Sequence, residues 1–446
     1  MKKLVLMLSL VMFAFAFIGC TEDVTTEATT QGPILAQGVT DTTIKVGNTA
    51  ATSGPLAFVG VPFNEGMKAV FKQVNDAGGI DGRTIEFVTY DDQFNAEYGV
   101  AFTETLVEDD EIFALVGHFG TPTVGATLGY IQEVGIPMVY AATGINGLYF
   151  EESLGNPVLA VQPIYKTDGR IMTARAVMEE IYGATHDEAL GATDKIGVLY
   201  TNDDVGNSIK AGVEAEFASL GISAANRIYY IPVDATTVNT AVLVLQGYDV
   251  STVILAMNQA PFAYTLNAMA EIGLEVPVFT SYVNADVSAV DAAQYSENRP
   301  IFTNAWVDVY SEKGAADVTE YIACIDQANL DAATKLAYYG NSFAIAGYIA
   351  AKVFVTGLER VAESGVDLTW ENFIAAMEDG PIDIPMGGTV DFSNGHRWGI
   401  ASMSLLQYTL TTINGDNPAT VEVETQYTVE SFVKVREIQT IEEIEG

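Results

Sequence analysis

The chain has 446 residues, of which 49% are hydrophobic and 17% charged, so it is too long and too apolar for a disordered tail. Its 58 acidic and 20 basic residues give a net charge of −38, and a chain this acidic is repelled by phosphate backbones, which excludes nucleic-acid binding. Its two cysteines, Cys20 and Cys324, cannot build a disulfide framework, and we expect Cys324 to be a small buried helix residue.

The first twenty residues have the pattern of a secretory signal. Two lysines precede an apolar stretch over 4–17, which is too short to span a bilayer of about 30 Å. Gly19 followed by Cys20 resembles a bacterial lipobox, in which the cysteine is lipidated and becomes the mature N-terminus. An ordinary signal peptide cut near Gly19 is the alternative. Residues 21–30 are polar and suited to a flexible tether, so the protein is expected to be secreted and membrane-anchored.

From residue 42 onward, strand and helix patterns alternate. A first series predicts strands at 43–47, 84–90, 112–117 and 137–142, with helices at 63–75, 96–107 and 121–133. A second series predicts strands at 196–200, 227–231, 253–257 and 277–280, with helices at 207–220, 238–246 and 261–272. Parallel strands separated by helices form a doubly wound sheet, so the sequence predicts an α/β fold with two lobes. Ligands of such sheets bind beyond the carboxyl ends of the strands, which makes the cleft between the lobes the expected binding site.

A later apolar run covers residues 342–358. Lys352 interrupts it, and its length is at the lower limit for crossing a bilayer. We therefore interpret the run as a buried helix.

One turn of the first series, over 117–123, has the composition of an anion site. Thr121 is a favoured helix N-cap residue, and Pro122 would then occupy the first helical position, where proline is common. Gly120 permits close backbone approach, so the free N–H groups of the helix could bind a carboxylate together with the hydroxyl of Thr121 or Thr123. The alternative is that Thr121 only caps the helix, and the residues alone leave both interpretations open.

Short motifs occur in a fixed order along the chain. They are T-S-G-P at 52–55, G-G-I-D-G at 78–82, G-H-F-G-T at 117–121, G-I-P at 135–137 and I-G-V-L-Y-T-N-D-D-V-G at 196–206. In the order and spacing of these motifs, the sequence resembles the extracytoplasmic solute-binding proteins of ABC importers. Within these it resembles the leucine/isoleucine/valine-binding family, which has the type I periplasmic-binding fold. The resemblance implies two doubly wound parallel-sheet lobes joined by a hinge of three chain crossings. The expected segments are a signal peptide (1–19), a lipid-anchored tether (20–41), lobe 1 (42–160 and 306–385), lobe 2 (161–305 and 386–436) and an acidic tail (437–446).

The resemblance also implies which residues bind the ligand. In this family the turn after the third strand binds the ligand carboxylate, and the end of the next strand supplies a carbonyl and a hydroxyl. The corresponding first-lobe positions are Gly120, Thr121, Ala142, Thr143 and Gly144. The second-lobe residues expected to line the cleft are Asn258, Gln259 and Tyr282.

Two further family features are replaced in this sequence. Aromatic walls of leucine binders fall at Val59 and Val205, and Tyr282 stands where amino-acid binders have an acid for the ligand ammonium. A buried ammonium without a carboxylate costs several kcal/mol, so an amide or peptide-like solute stays open beside an amino acid. The acids that could replace the missing one are interpreted as solvated loop residues; they are Asp203, Asp204 and Asp286.

The resemblance implies a lipid-anchored component of an ABC transporter that captures a small carboxylate-bearing solute, such as a branched-chain or other amino acid. It would deliver the solute to a membrane permease and its ATPase as an extracytoplasmic monomer, without cofactor, metal or enzymatic activity. A ligand-sensing module for a signalling partner is the alternative. A hydrolase is disfavoured because G-x-S-x-G and H-E-x-x-H motifs are absent and the three histidines, His118, His186 and His396, lie far apart.

Overall fold

Two large β-sheets organise the part of the chain that a computed structural model describes, residues 35–179, 190–223, 225–414 and 426–446. The predicted signal peptide, Cys20, most of the predicted tether and His186 lie outside these residues.

The first sheet contains five parallel strands in the spatial order β2-β1-β3-β4-β5. The strands are β1 (Thr43–Ala50), β2 (Thr84–Asp91), β3 (Ala114–Val116), β4 (Met138–Val139) and β5 (Val158–Leu159). The helices between them are α1 (Ala57–Asp76), α2 (Ala96–Glu104) and α3 (Thr121–Val134). The strands predicted at 112–117 and 137–142 end earlier than expected because Gly117 and Tyr140 have positive φ angles of 63° and 56°, which interrupt extended backbone.

The second sheet has seven strands in the order β14-β13-β10-β9-β8-β6-β7. Its strands are β6 (Ile196–Thr201), β7 (Ile228–Val233), β8 (Thr252–Ala256), β9 (Val278–Thr280), β10 (Ile301–Ala305), β13 (Met403–Asn414) and β14 (Gln426–Gln439). The associated helices are α4 (Tyr165–Met178), α5 (Asp204–Ser219), α6 (Val238–Tyr248) and α7 (Gln259–Glu271). The predicted α/β class with two doubly wound sheets is confirmed, but β13 and β14 add an antiparallel edge that the sequence patterns did not predict.

The chain crosses three times between the half of the molecule that contains the first sheet and the half that contains the second. These crossings lie between β5 and α4, between β10 and the next helix, and after the last short strand pair. The elements concerned are α8 (Glu312–Gln327), α9 (Ala332–Tyr338), α10 (Ser342–Ser364), α11 (Trp370–Met377), β11 (Ile382–Asp383) and β12 (Thr389–Val390). Helices α8 and α10 pack on α1, so the segment between the second and third crossings belongs to the half of the molecule that contains the first sheet.

Helix α10 is the one helix among the described residues with the length and hydropathy of a membrane span, yet 72% of its most apolar window is buried inside the fold. It packs along α1, where an added Cβ on Gly347 would overlap the Phe63 carbonyl oxygen. Glycine therefore permits the close contact between these helices. The prediction of a buried helix over 342–358 is confirmed, as is burial of Cys324 in α8.

The last ten residues contain the end of β14 and α12 (Ile441–Glu445). A capping box between Thr440 and Glu443 begins this helix, which packs against α4 and contains the buried Ile441. Residues 437–446, expected to form an acidic tail, thus have regular structure.

Candidate functional site

The turn between β3 and α3 is tied to the carboxyl ends of two neighbouring strands. The Phe119 amide donates to the Thr49 carbonyl at 3.1 Å, and the Gly120 amide donates to the Ala142 carbonyl at 3.3 Å. Gly120 has a φ of 98°, which favours glycine, and a Cβ there would come within 3.0 Å of the Phe94 ring. The turn is therefore a fixed feature at the edge of the first sheet.

The predicted capping arrangement of α3 is wrong by one residue. Gly120 is the N-cap, because its carbonyl accepts from the Val124 amide at 2.9 Å, and Thr121 is the first helical residue. The Thr121 hydroxyl makes no capping bond. Instead it forms hydrogen bonds with the Thr143 hydroxyl at 2.7 Å and the Tyr165 hydroxyl at 3.4 Å. The interpretation of Thr121 as only a helix cap is thereby excluded.

The start of α3 has free backbone donors. The amides of Thr121 and Thr123 belong to the first helical turn, so they have no intrahelical acceptor, and Pro122 between them has no N–H. Such a helix start favours an anion. A buried carboxylate, Asp92, already lies near it and accepts from the Thr123 hydroxyl at 2.7 Å, but Asp92 does not contribute to the adjacent cavity.

A cavity of about 430 Å³ lies beside this turn, between the two sheets. Its polar and glycine lining residues are Gly120, Thr121, Gln162, Asn258, Gln259, Gly340, Ser342 and Ser431, with two acids, Asp286 and Glu430. Its aromatic lining residues are Phe63, Phe94, Phe119, Tyr140, Tyr165, Tyr282, Trp306, Tyr310, Phe343 and Phe432. Its aliphatic lining residues are Val59, Ala142, Val283, Ala285, Val287, Ala305, Val307, Val309, Ile345, Ala346 and Leu406. Within the described chain, no lysine, arginine or histidine contributes to the lining.

Six of the eight predicted site residues contribute to this cavity, and two lie behind its wall. Thr143 is buried beneath Thr121, where its oxygen also accepts from the Ile145 amide at 3.1 Å. A Cβ on Gly144 would lie 2.7 Å from the Pro163 carbonyl oxygen and 2.8 Å from the Tyr282 hydroxyl. Protein atoms already fill the space around Thr143 and Gly144, so neither contributes to the cavity lining, and their predicted contact with a ligand stays a prediction.

The second-sheet residues differ in the groups that they leave free. The Tyr282 hydroxyl donates to the Pro163 carbonyl at 2.8 Å and accepts from the Gln162 amide nitrogen at 2.9 Å. The Gln259 amide nitrogen donates to the Val283 carbonyl at 2.9 Å. The Asn258 side-chain oxygen caps α7, whereas its amide nitrogen makes no hydrogen bond to any described residue. Asn258 is therefore the second-sheet side chain best able to donate to a ligand.

The acid that sequence reasoning placed in solvent lies in the cavity wall. Asp286 is only 9% exposed, and its carboxylate accepts hydrogen bonds from the hydroxyls of Ser288 and Ser342. It forms no ion pair with a described residue. Asp203 and Asp204 are exposed at the start of α5, as expected, and Asp203 caps that helix through the Gly206 amide. The interpretation as a solvated loop acid is thus wrong for Asp286 alone.

Of the other residues considered from the sequence, some lie beside the cavity and some do not. Val59 contributes to the cavity, but Val205 is buried in α5 and does not. His118 is fully buried, with its Nε2 atom 3.2 Å from the Thr127 hydroxyl, and burial lowers its pKa to about 3. His396 stacks on Trp398. Neither of these described histidines lies beside the cavity, so neither can act on a molecule bound there.

The fold and the cavity define a two-part α/β binding protein. A protein-family model described as periplasmic binding protein matches residues 43–415, and the chain belongs to this family. The resemblance inferred from its motifs is thereby confirmed.

Known proteins are similar to this chain in sequence over short segments only, but similar in fold over nearly its whole length. A segment of 124 residues is 32% identical to Leu/Ile/Val-binding protein homolog 1 of Brucella abortus (strain 2308), covering 28% of this chain and 30% of that protein. The chain therefore matches less than a third of the length of this curated relative. A fatty acid ABC transporter substrate-binding protein from Thermomonospora curvata superimposes with a TM-score of 0.69 at 19% identity, covering 93% of this chain and 97% of that one. A branched chain amino acid ABC transporter from Thermus thermophilus with bound valine gives 0.67 at 16% identity, covering 91% and 97%.

Proposed function

We propose that the protein is the solute-binding component of an ABC importer and captures a small carboxylate-bearing solute between its two sheets. One observation carries the proposal: a single cavity has the Gly120–Thr121 turn on one side and Asn258 on the other. The turn offers backbone amides and a hydroxyl, and Asn258 offers an amide nitrogen without a described partner. Membership of the family supports this role, and the fatty acid and valine named for the two similar structures both carry a carboxylate.

Asp286 supports an amino acid as the solute. Its buried carboxylate receives only neutral donors from described residues, and the described lining contains no basic side chain. A carboxylate in such surroundings favours a nearby positive charge. A zwitterion could place its carboxylate on the donors of the Gly120–Thr121 turn and its ammonium beside the carboxylate of Asp286.

In the proposed mechanism, the half of the molecule containing the first sheet captures the solute and the second half closes over it. Closure removes water, which strengthens the charge-assisted hydrogen bonds at the turn. A micromolar dissociation constant corresponds to about 8 kcal/mol. A few such bonds together with apolar enclosure can supply that free energy. The closed form would then dock on a permease, with the lobe boundaries predicted from the sequence as the hinge.

We further propose that Cys20 carries the lipid anchor and that residues 20–34 act as a tether outside the cytoplasm. The predicted tether extended to residue 41, but residues 35–41 pack on the fold, where the Ala36 amide donates to the Leu368 carbonyl at 3.0 Å and Val39 is buried. A single acyl chain binds membranes only marginally, so stable attachment requires more than one chain. Cys20→Ser is expected to move the protein from the membrane fraction to the soluble one, whereas Cys324→Ser should leave it on the membrane. Equal membrane association of the parent and Cys20→Ser would contradict the anchor.

The solute-binding role is tested by calorimetry and thermal unfolding of the mature protein with leucine, valine, phenylalanine and octanoate, using glucose as a neutral control. A binder present at a hundred times its dissociation constant adds about 2.7 kcal/mol to the free energy of unfolding. We expect at least one carboxylate to raise the melting temperature and glucose to leave it unchanged. Binding of glucose alone, or steady release of a chemically altered product, would contradict the proposal.

A further inference from the structure

A row of five aromatic rings runs along the cavity wall from the carboxylate turn towards a chain crossing. Phe94 lies 6.4 Å from Phe119, and Phe119 lies 5.7 Å from Phe63, measured between ring centroids. Phe63 lies 5.9 Å from Tyr140, and Tyr140 lies 6.4 Å from Trp306. All five residues contribute to the cavity lining. These spacings fall within the range of aromatic contact, so the rings form one continuous row, in which Phe63 and Tyr140 are almost fully covered by other protein atoms.

The row comes from five separate parts of the fold, and Phe94 lies in the loop before α2. Phe63 belongs to α1, and Phe119 directly precedes Gly120. Tyr140 follows β4 and Trp306 follows β10 at the second crossing. The cavity therefore continues past the turn to the crossings, where Val309 adds to its lining.

We propose that the solute carries an extended apolar chain longer than a leucine side chain, which lies along this row of rings. The inference rests on the proposed solute-binding function and specifies its substrate class. The head group binds at the turn near Phe119, and the apolar part extends towards Trp306 and Val309. Each additional methylene group that leaves water there adds binding free energy, which corresponds to an affinity gain of about three- to fourfold.

Two homologous series test the proposal by calorimetry on the mature protein. The first is norvaline, norleucine, 2-aminooctanoate and 2-aminodecanoate, and the second is the same set without the amino group. We expect affinity to rise at every step in at least one series. A plateau after norleucine and its deaminated counterpart would overturn the proposed substrate class while leaving the solute-binding function intact. Failure of every compound in both series to bind would instead contradict the proposed function and the inference that rests on it.

A variant that fills the far end of the cavity provides a second readout. Val309→Phe adds bulk to the lining without removing a core side chain. It should weaken the binding of 2-aminodecanoate at least tenfold while changing the affinity for norvaline less than twofold. The matched control is Val429→Phe on β14, where the valine is 37% exposed and does not contribute to the cavity. The control should change neither affinity. Unchanged binding of 2-aminodecanoate by a folded Val309→Phe protein would overturn the proposed path of the apolar part.

Discussion

The Asp286 carboxylate accepts a hydrogen bond from the Ser342 hydroxyl at 2.8 Å, and the two residues belong to different halves of the molecule. Asp286 follows β9 of the second sheet, whereas Ser342 begins α10, which packs on α1 beside the first sheet. The same carboxylate oxygen lies 3.4 Å from the Ser342 amide. The pair therefore joins the two halves at the cavity and stabilises the conformation in which they are close together.

Ser342→Ala is expected to weaken solute binding by about two- to tenfold, since one hydrogen bond contributes about 0.5–1.5 kcal/mol. Calorimetry with leucine and phenylalanine would measure the change. Ser288→Ala is the matched control, because Ser288 donates to the other oxygen of Asp286 from within the same loop, at 2.6 Å. A loss of affinity as large in the control as in Ser342→Ala would show that the contact between the halves has no special role.

Thr121→Ala is expected to weaken binding of a carboxylate solute about tenfold or more, since hydrogen bonds to charged groups contribute about 1.5–3 kcal/mol. Asp203→Ala serves as the control: it removes the N-cap of α5, which costs about 1 kcal/mol of stability, but should leave affinity within twofold. Parallel titrations and thermal unfolding of the two variants separate these effects. Equal losses of affinity would count against a carboxylate at the turn.

The order and type of most elements could be predicted because they depend on local patterns. The alternation over 84–90 matches β2, and the predicted end of α3 is close to Gly135, whose φ is 82°. The start of α3 could not be placed to the residue, because Gly120 adopts a left-handed conformation that the sequence permits but does not require. The position of the turn at Gly120 and Thr121 was nevertheless predictable, because it follows from the junction between a strand and a helix.

The composition of the cavity wall was less accessible to sequence reasoning. Tyr140 and Trp306 meet only because two distant strands end beside the same cavity, and no local pattern signals such a contact. Thr143 and Gly144 were expected at the end of a strand over 137–142, but β4 ends at Val139, and the space beside Gly144 is filled by the distant residues Pro163 and Tyr282. Asp286 carried one usable signal, its place in the loop after the last predicted strand of the second series.

Leucine is expected to bind at least tenfold more tightly than 4-methylpentanoate, which has the same apolar part and carboxylate but no ammonium. The reason is the buried carboxylate of Asp286 in a cavity whose described lining has no basic residue. Asp286→Asn should reduce this ratio to near one, whereas Asp204→Asn, at an exposed residue outside the lining, should preserve it. The ratio is informative because any effect on closure of the cavity is shared by both compounds. A preference for 4-methylpentanoate in the parent would exclude Asp286 as the ammonium partner.

Burial of His118 makes the free energy of unfolding depend on pH. Its pKa in the folded protein is lowered to about 3, so the unfolded chain takes up a proton below pH about 6.5 that the folded protein does not. Stability is therefore lost as pH falls from about 6.5 towards 3, at about 1.4 kcal/mol per pH unit.

His118→Gln removes the titrating ring but retains a hydrogen-bonding group near Thr127. Between pH about 7.5 and about 5, urea unfolding should show the parent losing about 2 kcal/mol more stability than this variant. Taking the difference between proteins cancels the opposing contributions of buried acids such as Asp168, whose pKa burial raises to about 6. Thr127→Val, which removes the hydroxyl that lies 3.2 Å from the ring, should lower stability similarly at both pH values. Parallel pH profiles for the parent and His118→Gln would mean that the ring gains a proton without unfolding, which its complete burial argues against.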